Sequence, residues 1–196
     1  MPSNPAFSAL IGRVRAGDSA AAPELVRHFE PNVRRVIRLR LTDPRLRRLL
    51  DSVDVCQSVL ANLCVRVAAG QFDLDTPEQL LKPLATMARD KVLNLVAKHQ
   101  ADRPDVRRIQ AGDEALAAVA AAQETPSDAI AGKELLERAR QLLTEEERHL
   151  ADQRRLGRQW GEIGAELGDS PEAPRKKLSR AVDRVVTRLG LEEVSP

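Results

Sequence analysis

The stretch "WGEIGAELGDSPEAPRKKLSRAVDRVVTRL", residues 160–189, holds two helical segments separated by a glycine turn. Trp160–Leu167 is predicted as a short helix stopped by Gly168. Ser170 then serves as a cap, Pro171 takes the first helical position, and a long helix runs to Leu189. Leu178, Ala181, Val182, Val185 and Leu189 recur at helical spacing and are expected to face inward. Arg175, Lys176, Ser179, Arg180 and Arg184 fall mostly on the other side. A DNA-reading helix needs this division: one face anchors it, while the other presents long cationic donors to phosphates and base edges. A lone basic helix is more often a solvated structural face. The preceding short helix and the "LGDS" turn reverse that preference and describe a helix-turn-helix. Pro174, near the start of the helix, removes an early backbone bond and is expected to shorten or tilt the reading end.

Upstream, "TEEE" at 144–147 reads as a capping box, with Thr144 as cap and Glu147 in the reciprocal position. It opens a helix that ends at Gly157. A further helix covers about Ser127–Leu143. Residues 101–126 are alanine-rich with few large apolar side chains, and read as a flexible linker with a transient helix at 113–123. The expected domains are therefore 1–100 and 127–196, joined by a linker at 101–126.

The first domain is also read as helices. Residues 5–15 form one, closed by Gly17. Asp18 caps a second that runs to about Leu41, kinked at Pro31. Asp51 opens a third, ending near Gly70. "TPEQ" at 76–79 starts a fourth, with Gln79 reaching back; it runs towards Gln100, with a kink or restart at Pro83. No segment reads convincingly as a strand. The expected fold is all-α, with two helical domains joined by a flexible linker.

Composition agrees. The 196 residues are 42% apolar and 31% charged, and aromatics make up only 2%, so Leu, Val, Ile and Ala must build the core. Net charge is +2, too small to imply a partner by itself. No apolar run approaches ~18 residues, so no membrane insertion is expected. The N-terminus lacks a basic head followed by an apolar block, so no signal peptide is read, and a cytoplasmic location is expected. Cys56 and Cys64 lie on one predicted helix with a rise between them of ~12 Å, too far to pair with each other. Both are expected to be buried free thiols.

Enzyme signatures are missing. The chain has no glycine-rich phosphate loop, no nucleophile elbow and no His/Cys cluster at metal spacing, so neither catalysis, a cofactor nor a metal is expected. His28, His99 and His149 are isolated. Two further basic groups stand out: Arg34, Arg35, Arg38, Arg40, Arg45, Arg47 and Arg48, and then Arg89, Lys91, Asn94, Lys98, His99, Arg103, Arg107 and Arg108. The first suits nucleic acid or an acidic protein surface, the second a nucleic-acid groove, each about as well as it suits plain solvation. In the second group Asn94 and Lys98 share a face, one turn apart.

"DSVDVCQSVLANL", residues 51–63, has the opposite character. At about 100° per residue, Val53, Cys56, Val59, Leu60, Leu63 and Val67 gather on the core face. Asp51, Asp54, Gln57 and Ser58 gather opposite. Negative charge in the first turn is favoured by ~0.3–1 kcal/mol per residue, which accounts for the aspartates but not for Gln57. Phosphates would be repelled here, so a partner of this patch would be a protein.

These segments together resemble the extracytoplasmic-function (ECF) sigma factors of the sigma-70 family. "DSVDVCQSVLANL" resembles their polymerase-binding helix, and "LATMARDKVLNLVAKHQADRPDVRR" their next, promoter-recognition helix. Residues 143–189 are similar to their C-terminal helix-turn-helix, matching Glu162-Ile163, Leu167-Gly168, Ser170, Leu178 and Arg180-Ala181. The resemblance implies that Asp51, Asp54, Val55, Gln57 and Ser58 meet the clamp coiled coil of core RNA polymerase, with the flap as a second contact. It implies that Gln71, Phe72, Asp73, Arg89, Asn94, Lys98 and Arg103 engage the −10 element of promoter DNA. Ser170, Glu172, Arg175, Lys176, Ser179 and Arg180 would read the −35 element. An anti-sigma factor is a further partner of the family. The chain departs from the pattern at Pro83, where the family usually has tryptophan, at Asp90, where it usually has asparagine, and at Pro174, where it prefers an aliphatic residue. A stand-alone helix-turn-helix regulator is the competing function. A third is a protein-interaction module that retains only the fold.

Overall fold

The computed structural model describes residues 4–40, 52–101 and 126–192. Among them are eight helices: α1 (Pro5–Ala16), α2 (Ala21–Arg40), α3 (Ser52–Ala68), α4 (Glu78–Ala101), α5 (Pro126–Gln141), α6 (Glu145–Arg155), α7 (Trp160–Leu167) and α8 (Glu172–Arg188). No strand occurs among the described residues. The all-α expectation holds. Arg45, Arg47, Arg48 and Asp51 lie outside the described residues, as do Arg103, Arg107, Arg108 and the segment at 113–123.

Local chemistry sets most helix ends. Asn4 accepts the Phe7 N–H at 3.1 Å, and Gly17, at φ 80°, closes α1. Asp18 accepts the Ala20 N–H at 2.9 Å just ahead of α2. Gln79 reaches back to the N–H groups of Asp75 and Thr76, at 2.6 and 3.1 Å. The Thr144–Glu147 capping box is closed in both directions, at 2.9 and 3.3 Å.

Pro83 and Pro174 sit inside helices. α4 runs unbroken through Pro83, so no restart occurs there. An interior proline costs ~3 kcal/mol. Burying Leu80 and Leu84 on either side returns about 1.5–3 kcal/mol each, and both are sealed in the core. Pro174 lies in the first turn of α8 and is buried. The N–H it lacks belongs to the first four of the helix, which have no intrahelical acceptor in any case. Ser170 does not cap through its side chain. Pro171 is itself helical, at φ −54° and ψ −28°, so the turn closes through the Ser170 carbonyl, which accepts the Ala173 N–H at 3.1 Å.

The buried apolar residues form two clusters. One is built from α1–α4, around Leu25, Phe29, Leu63, Leu80 and Leu84. The other is built from α5–α8, around Leu150, Ile163, Leu178, Val182 and Val186. Val65 of α3 belongs to the second cluster, and Leu136 of α5 packs against both. The halves therefore meet along a seam where α5 and α8 lie on α3.

The seam explains the burial pattern of α3. Cys56, Val59, Leu60, Leu63 and Val67 are buried as the periodicity predicts, whereas Val53 is 39% exposed. Asn62, Val65 and Arg66 are buried as well, because the second half covers the face that a one-sided helix would leave in water, and Cys64 is buried in the first core.

Candidate protein- and nucleic-acid-binding surfaces

On α3, the side chains of Asp54 and Gln57 are exposed, one turn apart. Val55, between them in sequence, is a core residue and supports the patch from beneath. Ser58 is half-buried and donates its hydroxyl to the Leu191 carbonyl at 3.1 Å. The open part of this face is a carboxylate and an amide, fit to meet cationic and hydrogen-bonding groups of a protein.

The loop after α3 carries the next group. Phe72 packs on the first core, and its carbonyl accepts from Arg15 Nη2 at 2.8 Å. Desolvation, and then the positive charge of Arg154, hold the Arg15 guanidinium below its ordinary pKa. Gln71 accepts from Arg66 at 3.1 Å and donates to the Ser179 hydroxyl at 3.2 Å. Asp73 pairs with Arg154. Beside the loop lies an open cleft of about 320 Å³, lined by Arg66, Gln71, Phe72, Lys82, Pro83 and Met87. Further along α4, Arg89 is exposed and paired with Asp90 at 3.0 Å. Asn94 is half-buried and Lys98 exposed.

α8 divides its cations by task. Lys177 pairs with Glu146, and Arg184 with Glu147 at 2.6 Å, so both tie α8 back to α6. Arg184 therefore serves the fold rather than the outward basic face. That outward face is Arg175, Lys176 and Arg180, with Ser170 and Glu172 exposed at its N-terminal end. Arg175 leans on Glu172 at 3.4 Å. Behind them Leu178, Ala181, Val182 and Val185 are buried, and Leu189 packs at the edge. α7 reaches α8 through a turn so close that Gly164 has no room for a Cβ. A methyl there would sit 2.9 Å from the Asp169 carbonyl oxygen and 3.0 Å from the Pro171 nitrogen.

Two buried arginines escaped the sequence reading. Arg66 donates to Asn62 at 2.7 Å within α3, and to Asp183 and Glu192 across the seam at 2.6 and 2.7 Å. Arg154 donates to the Gly70 and Arg158 carbonyls at 3.1 and 2.6 Å and lies 4.6 Å over the Trp160 ring. The one signal in the sequence was Arg66 set within the apolar run "CVRVA".

Both cysteines are free and buried. Burial raises the Cys56 thiol to about 11 and the Cys64 thiol to about 12, which leaves them protonated and unreactive. Among the described residues, no group of side chains could hold a metal ion, and no helix is long and apolar enough to cross a membrane.

No curated protein and no solved structure matches the chain. A family model does, described as ECF sigma factor and matched over residues 4–189, which takes in both helical halves and all three surfaces above. The chain belongs to the ECF sigma factor family.

Proposed function

We propose that this chain brings core RNA polymerase to particular promoters through two surfaces of opposite chemistry. As an ECF sigma factor it is a transcription initiation factor and not an enzyme; its partners are core polymerase and promoter DNA. In our reading residues 1–100 form the polymerase- and −10-binding domain, 101–126 a linker, and 127–196 a helix-turn-helix domain that binds the −35 element, all acting in the cytoplasm.

Asp54 and Gln57, with Asp51 and Ser58 beside them, grip the clamp coiled coil. Gln71, Phe72, Asp73, Arg89, Asn94, Lys98 and Arg103 engage the −10 element. Base stacking on an aromatic ring is worth ~1–3 kcal/mol per base. Phe72 is the ring available for it, since Pro83 replaces the usual tryptophan. Ser170, Glu172, Arg175, Lys176, Ser179 and Arg180 read the −35 element from the major groove.

The observation that carries this reading is the segregation of exposed charge. α3 shows a carboxylate and an amide, α8 shows Arg175, Lys176 and Arg180, and each helix has its other face in a core. Reconstitution with core polymerase tests it. The full chain is expected to co-purify with core and to give promoter-dependent run-off transcripts. Specific DNA binding without core, and no association with core, would make the chain a stand-alone regulator instead.

A further inference from the structure

We propose that a cleft beside Arg15 is a binding site for a small aliphatic monocarboxylate, whose head pairs with Arg15 and whose tail lies along the cleft walls. The cleft is partly open to solvent and has a volume of about 300 Å³. Its walls come from the ends of α1 and α3, the start of α2, and from α5, α6 and α8. Small-molecule sites are concave and mostly apolar, with a few polar groups that fix the ligand, and they begin at about this size. The walls define the tail. Val14, Val65, Leu136, Val182 and Val185 line them, with alanines between. No aromatic ring is among the lining residues, so the contact on offer is dispersion against aliphatic groups.

The charges define the head. Every carboxylate in the lining is already paired. Asp152 meets Arg140 at 2.7 Å and Arg155 at 3.6 Å, Glu137 meets Lys133 at 3.9 Å, and Asp18 meets Arg13 at 2.7 Å. Arg15 is the lining cation with no carboxylate at ion-pair distance among the described residues. Its Nη2 donates to the Phe72 carbonyl at 2.8 Å, while its Nε is buried and meets no acceptor. Burial and the charge of Arg154 both disfavour the cation there. Asp73 and Asp75 act on it only from a distance, and Asp73 is taken by Arg154. A guanidinium keeps its proton and carries five donors, so what this one lacks is an anion. Carboxylates suit it, because the two groups pair through parallel N–H···O bonds. One uncompensated cation calls for a single negative charge.

The test titrates octanoate, below its micellar concentration, into the full chain by calorimetry. The expected result is saturable binding at one site, tightening about fourfold for each methylene added between butanoate and octanoate. Octanamide keeps the tail without the charge and is expected to bind at least ~tenfold more weakly. Arg15→Gln is expected to weaken octanoate by a similar factor and to leave octanamide unchanged. Ala69, which lines the cleft from the end of α3, is half-buried. Ala69→Leu fills that space and is expected to weaken both ligands. If either variant loses its helical signal, the comparison of octanoate with octanamide on the wild type still decides the head, and the chain-length series still decides the tail. Absence of saturable octanoate binding overturns the proposal, as does equal affinity for the amide. Binding unchanged in a folded Ala69→Leu variant places the ligand elsewhere and overturns it too. Neither polymerase nor promoter enters the measurement, so failure here leaves the functional reading standing, and a chain that ignores core polymerase leaves this site standing.

Discussion

Arg154 donates its Nε–H to the carbonyl of Gly70 across the seam at 3.1 Å, and the two residues are in such close contact that a Cβ on Gly70 would overlap the Arg154 Cβ. Gly70 also takes φ 74°, at the turn that ends α3. Gly70→Ala therefore meets two penalties. The left-handed backbone costs about 1–2 kcal/mol for a residue with a Cβ, and the methyl pushes against Arg154. The first penalty weakens the end of α3; the second is relieved when the halves part. We expect Gly70→Ala to lower the thermal midpoint and to expand the chain in scattering, with circular dichroism showing the helices retained.

The ion pair between Arg184 and Glu147 gives stability a pH dependence. The Arg184 guanidinium, followed by the Thr144 backbone N–H, holds the Glu147 carboxyl below its ordinary pKa of 4.5, against the opposing effect of burial. A carboxyl depressed on folding stabilises the fold above its unfolded pKa, and that contribution is lost as pH falls through the folded value. Gln at 147 can still accept the Thr144 N–H but does not titrate. We expect Glu147→Gln to cost about 1–2 kcal/mol at pH 7. The gap from wild type should close steadily as pH falls below 4.5. Urea denaturation at a series of pH values measures this directly; a gap independent of pH would mean that the charge of Glu147 contributes nothing.

Legibility in the sequence followed the range of the interaction. Thr144 and Glu147 lie three residues apart, so their capping box could be read without the fold, as could the Gly168 stop and the apolar spacing of α8. The acid-and-amide face of α3 was equally visible at Asp54 and Gln57. What escaped depends on residues distant in sequence. Arg66 meets Asp183 and Glu192, and Arg154 meets Gly70 and Asp73, from opposite halves of the chain. No periodicity within α3 shows that Asn62 and Arg66 are covered, because the covering helices come more than sixty residues later. That α4 continues through Pro83 without a restart escaped for a related reason. The local penalty of Pro83 is legible, but the compensating burial of Leu80 and Leu84 is not.

Gly164 tests the turn between α7 and α8. Replacing an interior helical glycine by alanine gains up to ~1 kcal/mol from propensity. Here the new methyl would sit 2.9–3.0 Å from backbone atoms of Asp169, Ser170 and Pro171, none of which is the far end of a flexible side chain. Overpacking of this kind costs ~1–3 kcal/mol, so the overlap outweighs the propensity. Gly164→Ala is expected to lower the thermal midpoint, and Gly164→Val to lower it further. A stabilised Gly164→Ala would show that the turn shifts freely.

Asp54 separates interface from fold. Its side chain is exposed, so Asp54→Arg disturbs no core contact. The substitution does place a cation near the N-terminus of α3, which the helix dipole disfavours by ~0.3–1 kcal/mol. Thermal stability should therefore drop slightly while helical content is kept. Co-purification with core polymerase should be abolished. Binding that survives the charge reversal would move the polymerase contact away from this face of α3.

Arg175 distinguishes the two ways α8 can touch DNA. The side chain is exposed and leans on Glu172, one turn earlier, at 3.4 Å. A bidentate contact from arginine to a guanine edge discriminates by ~1–3 kcal/mol against the wrong base. A phosphate contact carries no sequence information, but it contributes to the salt dependence of binding. Were Arg175 a base reader, Arg175→Ala would relax preference at one position of the −35 element by that amount and leave other positions unchanged. Were it bound only to phosphate, affinity would fall evenly on all sequences, with a shallower slope against salt. The pairing with Glu172 favours the first outcome, because a neighbouring carboxylate fixes the direction of the guanidinium and disfavours its approach to a phosphate. Glu172→Ala is then expected to increase nonspecific affinity while blurring the same base position, and titrations against a panel of single-base variants of the −35 element check both changes.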